Sequence, residues 1–104
     1  MSATGRTHTE LMALRDTMLH TLQEAAKHRD QRPDPIGDEL GWVVYEREQM
    51  ATAINAARTN RGLGPVTLKD VARVEQQACG HVDYASKYAL YCAEMAIGID
   101  KPKP

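Results

Sequence analysis

Arg47 is the residue with the clearest potential for chemistry in this chain. It falls within the apolar stripe of a predicted helix, where a charged group needs a partner. If the helices on either side of residues 62–66 fold antiparallel, Arg47 comes level with His81, and Glu75 lies one to two turns away. We predict that these three residues form a buried polar layer that fixes helix register. Two alternatives are an anion-binding or catalytic pocket centred on Arg47 and His81, and an Arg47 side chain that extends to the surface.

Other chemical signatures in the sequence are weak. None of the histidines pairs at i,i+3 or i,i+4 spacing, and the chain has no Glu-x-x-His motif of a di-iron bundle. On one continuous helix, Cys79 and His81 would point about 200° apart, so they could not form a nucleophile–base pair. Cys79 and Cys92 would lie about 20 Å apart, too far for a disulfide within the chain. We therefore expect no metal, no cofactor and no enzymatic activity.

The elements that position these residues are predicted to be helices. The chain contains 14 Ala and no Phe, and Leu, Met, Glu, Gln and Arg are common, which favours helix over strand. Apolar residues recur with helical period in three segments. The predicted helices span residues 9–29, 36–61 and 67–97. The sequence predicts an all-α fold, an antiparallel three-helix bundle forming a single domain over residues 1–104, with flexible ends at 1–6 and 99–104.

The boundaries of these helices are marked by end signals. Thr7 has capping-box spacing to the acidic residue three positions later. Residues 30–37 contain two prolines and a glycine, which predicts a connector. Gly62 is a predicted left-handed cap at the end of the second helix. Thr67 and Asp70 have the spacing of a capping box and predict the start of the third.

The predicted third helix is apolar around most of its circumference. Its polar wedge covers only about a sixth of the circle, whereas an ordinary surface helix needs an apolar arc of little more than 100°. We predict that the tyrosine-rich flank contacts a second copy of the chain or another protein; the alternative is that the first two helices cover it. On the second helix, a tryptophan opposite the main stripe is either a contact residue or lies under the connector. The predicted interface residues are Tyr84, Tyr88, Tyr91, Met95, Trp42 and Tyr45.

The charge pattern argues against a dedicated nucleic-acid binder. Thirteen basic and fourteen acidic residues give a net charge of −1, and neither sign is concentrated in one part of the chain. An alternative is a dimeric regulator whose basic patch is built from Arg58, Arg61, Lys69 and Arg73. No apolar run approaches the roughly 20 residues that cross a bilayer, and no signal-peptide core is visible, so we expect no membrane partner and a cytoplasmic location.

One part of the chain resembles a group of viral proteins. The segment GHVDYASKYALYCAEMA, with VTLKDVARVEQQA before it and NAARTNRGL upstream, is similar to small helical proteins encoded by actinobacterial phages, over roughly residues 40–97. This resemblance implies a phage accessory or virion-associated role, in the host cytoplasm or the virion, that operates through protein contacts. It transfers no functional residues. The leading hypothesis, based on the apolar third helix, is a non-enzymatic all-α protein that self-associates or binds a protein partner through that helix.

Overall fold

The protein is built from four α-helices in the part of the chain that the computed structural model describes, residues 3–30 and 39–99. The helices are α1 (Ala3–Asp30), α2 (Glu39–Asn60), α3 (Leu68–Ala78) and α4 (Tyr84–Ala96). The predicted all-α class is confirmed, and these residues include no strand. The predicted connector and flexible ends lie largely outside the described residues, although residues 3–6 belong to α1. Because α1 begins at Ala3, the predicted helix start next to Thr7 is wrong.

The predicted third helix is in fact two helices, so the predicted count of three is wrong. Cys79 leaves helical geometry with φ −59° and ψ 138°, and Gly80 has φ +92°. A residue with a Cβ rarely adopts that positive φ, whereas glycine does so at little cost. The backbone N–H of His81 donates to the carbonyl of Ala78 at 3.2 Å and closes the turn. The chain thereby leaves α3 and starts a new helix at Tyr84.

Replacing Gly80 by alanine is expected to lower the free energy of unfolding by about 1–2 kcal/mol, the usual cost of a left-handed residue with a Cβ. A Cβ at this position would meet no atom within 4 Å, so the cost arises from the backbone alone. Gly64→Ala is the matched control, because it also meets nothing within 4 Å and has no positive φ. Urea denaturation measures both. Equal stability of the two variants would contradict a break at Gly80.

The turn between α2 and α3 follows its sequence signals. Gly62 has φ +75° and donates its N–H to the carbonyl of Thr59 at 3.0 Å, while Leu63 donates to the carbonyl of Arg58 at 2.8 Å. This pair of bonds is a Schellman motif, so the predicted left-handed cap is confirmed. The predicted capping box at Thr67 is also confirmed: its N–H donates to Asp70 Oδ2 at 2.9 Å, and its hydroxyl accepts from the N–H of Asp70 at 3.3 Å.

Contacts near the helix ends show how α1, α2 and α4 are placed relative to one another. Arg61 near the end of α2 pairs with Glu10 of α1 at 3.1 Å, and the opposite end of α1 meets the start of α2, so these two helices run in opposite directions. The guanidinium of Arg58 donates to the carbonyl of Gly64 at 2.5 Å and to that of Met95 at 2.7 Å. This brings the end of α4 beside the end of α2. A cation at that position also offsets the negative end of the α4 dipole.

Helix α4 lies at the centre of the fold and packs against α1, α2 and α3. Six of its 13 residues are buried, and its Ala and Cys side chains allow its neighbours to approach closely. The other helices contribute larger apolar groups to the same core. These are Met18 of α1, Met50 and Ile54 of α2, and Val71 and Val74 of α3. The break at Gly80 thus allows α3 to cover surface on α4 that a continuous helix would leave open.

Candidate functional site

The structure divides the predicted interface residues of the C-terminal segment into two groups. Tyr88 is 0% exposed and Met95 is 2% exposed, so both belong to the core of the protomer and their prediction as interface residues is wrong. The physical reason is the separate helix α3, which packs on α4. Tyr84 and Tyr91 are half-buried and pack against the edge of the core.

Two of the three residues predicted for the polar layer come together. Arg47 Nε donates to Glu75 Oε1 at 2.6 Å, and the hydroxyl of Tyr84 donates to Glu75 Oε2 at 3.3 Å. Glu75 is only 8% exposed, and these donors come from two other helices, α2 and α4. His81 was expected in this layer but is exposed in the turn after α3, because the helix that would have carried it inward ends at Ala78.

A second carboxylate, which sequence analysis missed, interacts electrostatically with this layer. Glu46 is half-buried, and its pKa is raised above its usual value, first by burial and then by the negative charge of Glu75. Arg29 and Arg47 act in the opposite direction but do not cancel the rise. Glu46 and Glu75 are therefore two interacting acidic groups at an incompletely hydrated position, and Arg29 and Arg47 are the cations that act on Glu46.

Tyr84 and Cys92, two further ionisable groups that interact with Glu75, are held in their neutral forms. Burial, and after it neighbouring groups that include Glu75, raises the pKa of Tyr84 and of Cys92 well above their usual values. A buried thiol with a raised pKa is a poor nucleophile. Among residues 3–30 and 39–99, no group of three or more His, Cys, Asp or Glu side chains is placed to hold a metal ion. The geometry of the layer suits the joining of helices better than it suits catalysis.

An aromatic cluster of His28, Trp42 and Tyr45 lies where the end of α1 meets the start of α2. Trp42 and Tyr45 are three residues apart on α2, so they share a helix face; their ring centroids are 5.7 Å apart at an interplanar angle of 86°. The His28 ring stacks on Tyr45 at 5.1 Å and 23°, and meets Trp42 at 6.0 Å and 67°. The structure thus brings two predicted interface residues together with a histidine that sequence analysis did not assign.

A small cavity of about 100 Å³ opens beside this cluster. Its walls combine aromatic rings, alanine methyl groups and one charge of each sign. The lining residues are Ala25, Ala26, Arg29, Trp42, Tyr45 and Glu46. Pockets for small organic ligands measure about 300–1,000 Å³, so this pocket has room for about one side chain of a bound protein. We refer to it below as the aromatic pocket.

The four residues of the predicted basic patch do not form a free cationic surface. Arg58 donates inward to two backbone carbonyls, and Arg61 pairs with Glu10. Lys69 is exposed, whereas Arg73 is half-buried. Because two of the four cations already have partners within the chain, the geometry gives little support to a phosphate-binding role.

Comparison with known proteins found no matching protein-family model, curated protein or solved structure. Within the described part of the chain, no helix is long and apolar enough to cross a membrane. A functional proposal therefore depends on the geometry of the aromatic pocket and of the polar layer.

Proposed function

We propose that this protein is a non-enzymatic helical protein that associates with a second copy of itself through the aromatic pocket. The observation that carries the proposal is a cavity of about 100 Å³ walled by the half-buried rings of Trp42 and Tyr45. Tryptophan and tyrosine are enriched among the residues that dominate binding energy at protein interfaces. They supply a large contact area and tolerate partial contact with water before a partner binds.

The overall charge of the chain favours a second copy as the partner. With a net charge of −1, two copies repel each other only weakly. The lining of the pocket includes Arg29 and Glu46, one charge of each sign. In a two-fold dimer, a surface patch of one protomer contacts the same patch of its partner. Because this patch carries both signs, opposite charges can face each other across the interface.

The groups that might otherwise do chemistry have structural roles. Arg47 and Tyr84 both donate to Glu75, so each is used to join helices. Cys92 is buried and protonated. We therefore also propose that the protein has no catalytic role. The resemblance to phage-encoded helical proteins supports a phage accessory or virion-associated setting for such an assembly.

Light scattering across a concentration series tests this proposal. We expect the mass of the wild-type protein to rise from monomer to dimer between about 1 and 100 µM, a range that corresponds to binding free energies of roughly 5–8 kcal/mol. The double variant Trp42→Ala/Tyr45→Ala is expected to remain monomeric, because it removes both aromatic walls of the pocket.

Val44→Ala is the matched control for this experiment. Val44 is an exposed apolar residue on the same helix, 37% exposed, and does not line the pocket. It should dimerise like the wild type. A wild-type protein that remains monomeric across the series, or a double variant that dimerises as well as the control, would contradict the proposal.

A further inference from the structure

We infer that self-association through the aromatic pocket is controlled by protons, and that the carboxyl group of Glu46 is the switch. This inference rests on the proposed function. Glu46 is half-buried and belongs to two structures at once, because it lines the pocket and also lies beside the polar layer around Glu75. A change in its charge therefore reaches both the docking surface and the contact between helices.

The polar layer gives Glu46 an unfavourable neighbour. Glu75 accepts from Arg47 at 2.6 Å and from Tyr84 at 3.3 Å, so these two donors stabilise its negative charge. That charge in turn repels a negative charge on Glu46, which burial already disfavours. Proton uptake by Glu46 removes both of these costs and leaves the ion pair between Arg47 and Glu75 intact.

Groups from all four helices determine what protonation of Glu46 does. Arg29 of α1, Arg47 of α2 and Glu75 of α3 act on its charge, and Tyr84 of α4 interacts with it electrostatically. His28 of α1 stacks on Tyr45, the residue before Glu46. At neutral pH the two arginines offset the two carboxylates. Once Glu46 is neutral, the lining of the pocket retains the positive charge of Arg29. In a two-fold dimer, the positive charges of the two linings then face each other, and association weakens.

Protonation has the opposite effect on the protomer. Since burial and Glu75 raise the pKa of Glu46 above 4.5, the folded state binds the proton more readily than the unfolded chain does. Stability should therefore increase as the pH falls through the folded-state pKa, and the gain is complete below about 4.5. Mild acidification is expected to strengthen the fold while it weakens the dimer.

Trp42 provides an internal probe of this switch. It is the only tryptophan in the chain, and it shares the pocket wall with Glu46. We expect its fluorescence to titrate with a midpoint above pH 4.5, and the dimer dissociation constant to increase about tenfold over the same interval. Glu46→Gln should lack this step and show the weaker dimer already at neutral pH.

Glu48→Gln is the matched control, because Glu48 is exposed on the same helix and does not line the pocket. It should titrate like the wild type. His28 is present in all three proteins, so the comparison isolates Glu46. If Glu46→Gln shows the same change of fluorescence and dimer affinity with pH as the wild type, the proton switch is wrong. The proposed function would still stand in that case if the protein dimerises at neutral pH. If no protein dimerises at neutral pH, the proposed function fails and the switch fails with it.

Discussion

Replacing Glu75 by alanine is expected to lower the free energy of unfolding by about 3 kcal/mol, near the lower end of the range for breaking a buried ion pair. The variant leaves Arg47 with its charge largely buried and without the 2.6 Å contact to Glu75, and it removes the acceptor of the Tyr84 hydroxyl. The Arg47 side chain is 23% exposed, so water can recover part of the loss. Urea denaturation, followed by circular dichroism at neutral pH, measures the change.

The control for this prediction removes both charges together. Arg47→Met/Glu75→Leu replaces the ion pair by apolar groups of similar volume, which often restores or exceeds the original stability. We expect the double variant to be more stable than Glu75→Ala. A loss below about 1 kcal/mol for Glu75→Ala, typical of an exposed pair, would contradict the view that this contact joins α2, α3 and α4.

Replacing Tyr88 by alanine is expected to lower the free energy of unfolding by about 3–5 kcal/mol, the usual cost of deleting a buried aromatic ring. Tyr88 is 0% exposed, and its ring lies 5.7 Å from that of Tyr84 within the core. Thermal or urea unfolding measures the loss. Dimer formation by the folded fraction should be unchanged, because the residue lies inside the protomer.

Tyr88→Phe is the matched control for the alanine variant. The Tyr88 hydroxyl is buried and accepts or donates no hydrogen bond within the described part of the chain. Removing an unsatisfied hydroxyl should leave stability unchanged or slightly higher. A loss above about 1 kcal/mol for Tyr88→Phe would show that the hydroxyl has a partner such as a buried water. A small loss of stability for Tyr88→Ala, combined with loss of the dimer, would instead indicate that Tyr88 lies in the dimer interface.

In the C-terminal segment, helical periodicity predicted which side chains are buried. It did not predict that the helix is interrupted. On a continuous helix, Val71, Val74, Val82, Ala89 and Cys92 would form one stripe, and all of these except Val82 are buried. Helices α3 and α4 place this stripe in one core even though they are separate helices. The pattern fails where the helix breaks, since Val82 of the same stripe is fully exposed. A single glycine is tolerated inside helices, so Gly80 alone did not identify the break.

The candidate site was predictable only where local signals fixed the geometry. The turn at Gly62 and the capping box at Thr67 set the register of α2 against α3, and that register brings Arg47 to Glu75. The inclusion of His81 required a continuous helix, so it failed with the break at residue 80. Pairing the end of one predicted antiparallel helix with the start of the next could have identified the contact between His28 and Tyr45.

Glu46 had no comparable signal in the sequence. Its role depends on a half-buried position between the pocket and Glu75, and burial of that kind arises from the packing of several helices. Adjacent residues on a helix point about 100° apart, so the position of Arg47 did not predict that of its neighbour. Only the assembled fold shows that the carboxyl group of Glu46 lines the pocket and also interacts with Glu75.

Intermolecular nuclear Overhauser contacts in a mixed sample, half of it isotope-labelled, test the central claim most directly. Filtered spectra of such a sample record contacts between protomers and suppress those within one protomer. We expect the Trp42 indole and the Tyr45 ring of one protomer to show contacts with the aromatic cluster of its partner. Contacts confined to other surfaces, such as those around Leu68 or Tyr91, or none at a concentration well above 100 µM, would contradict self-association through the aromatic pocket.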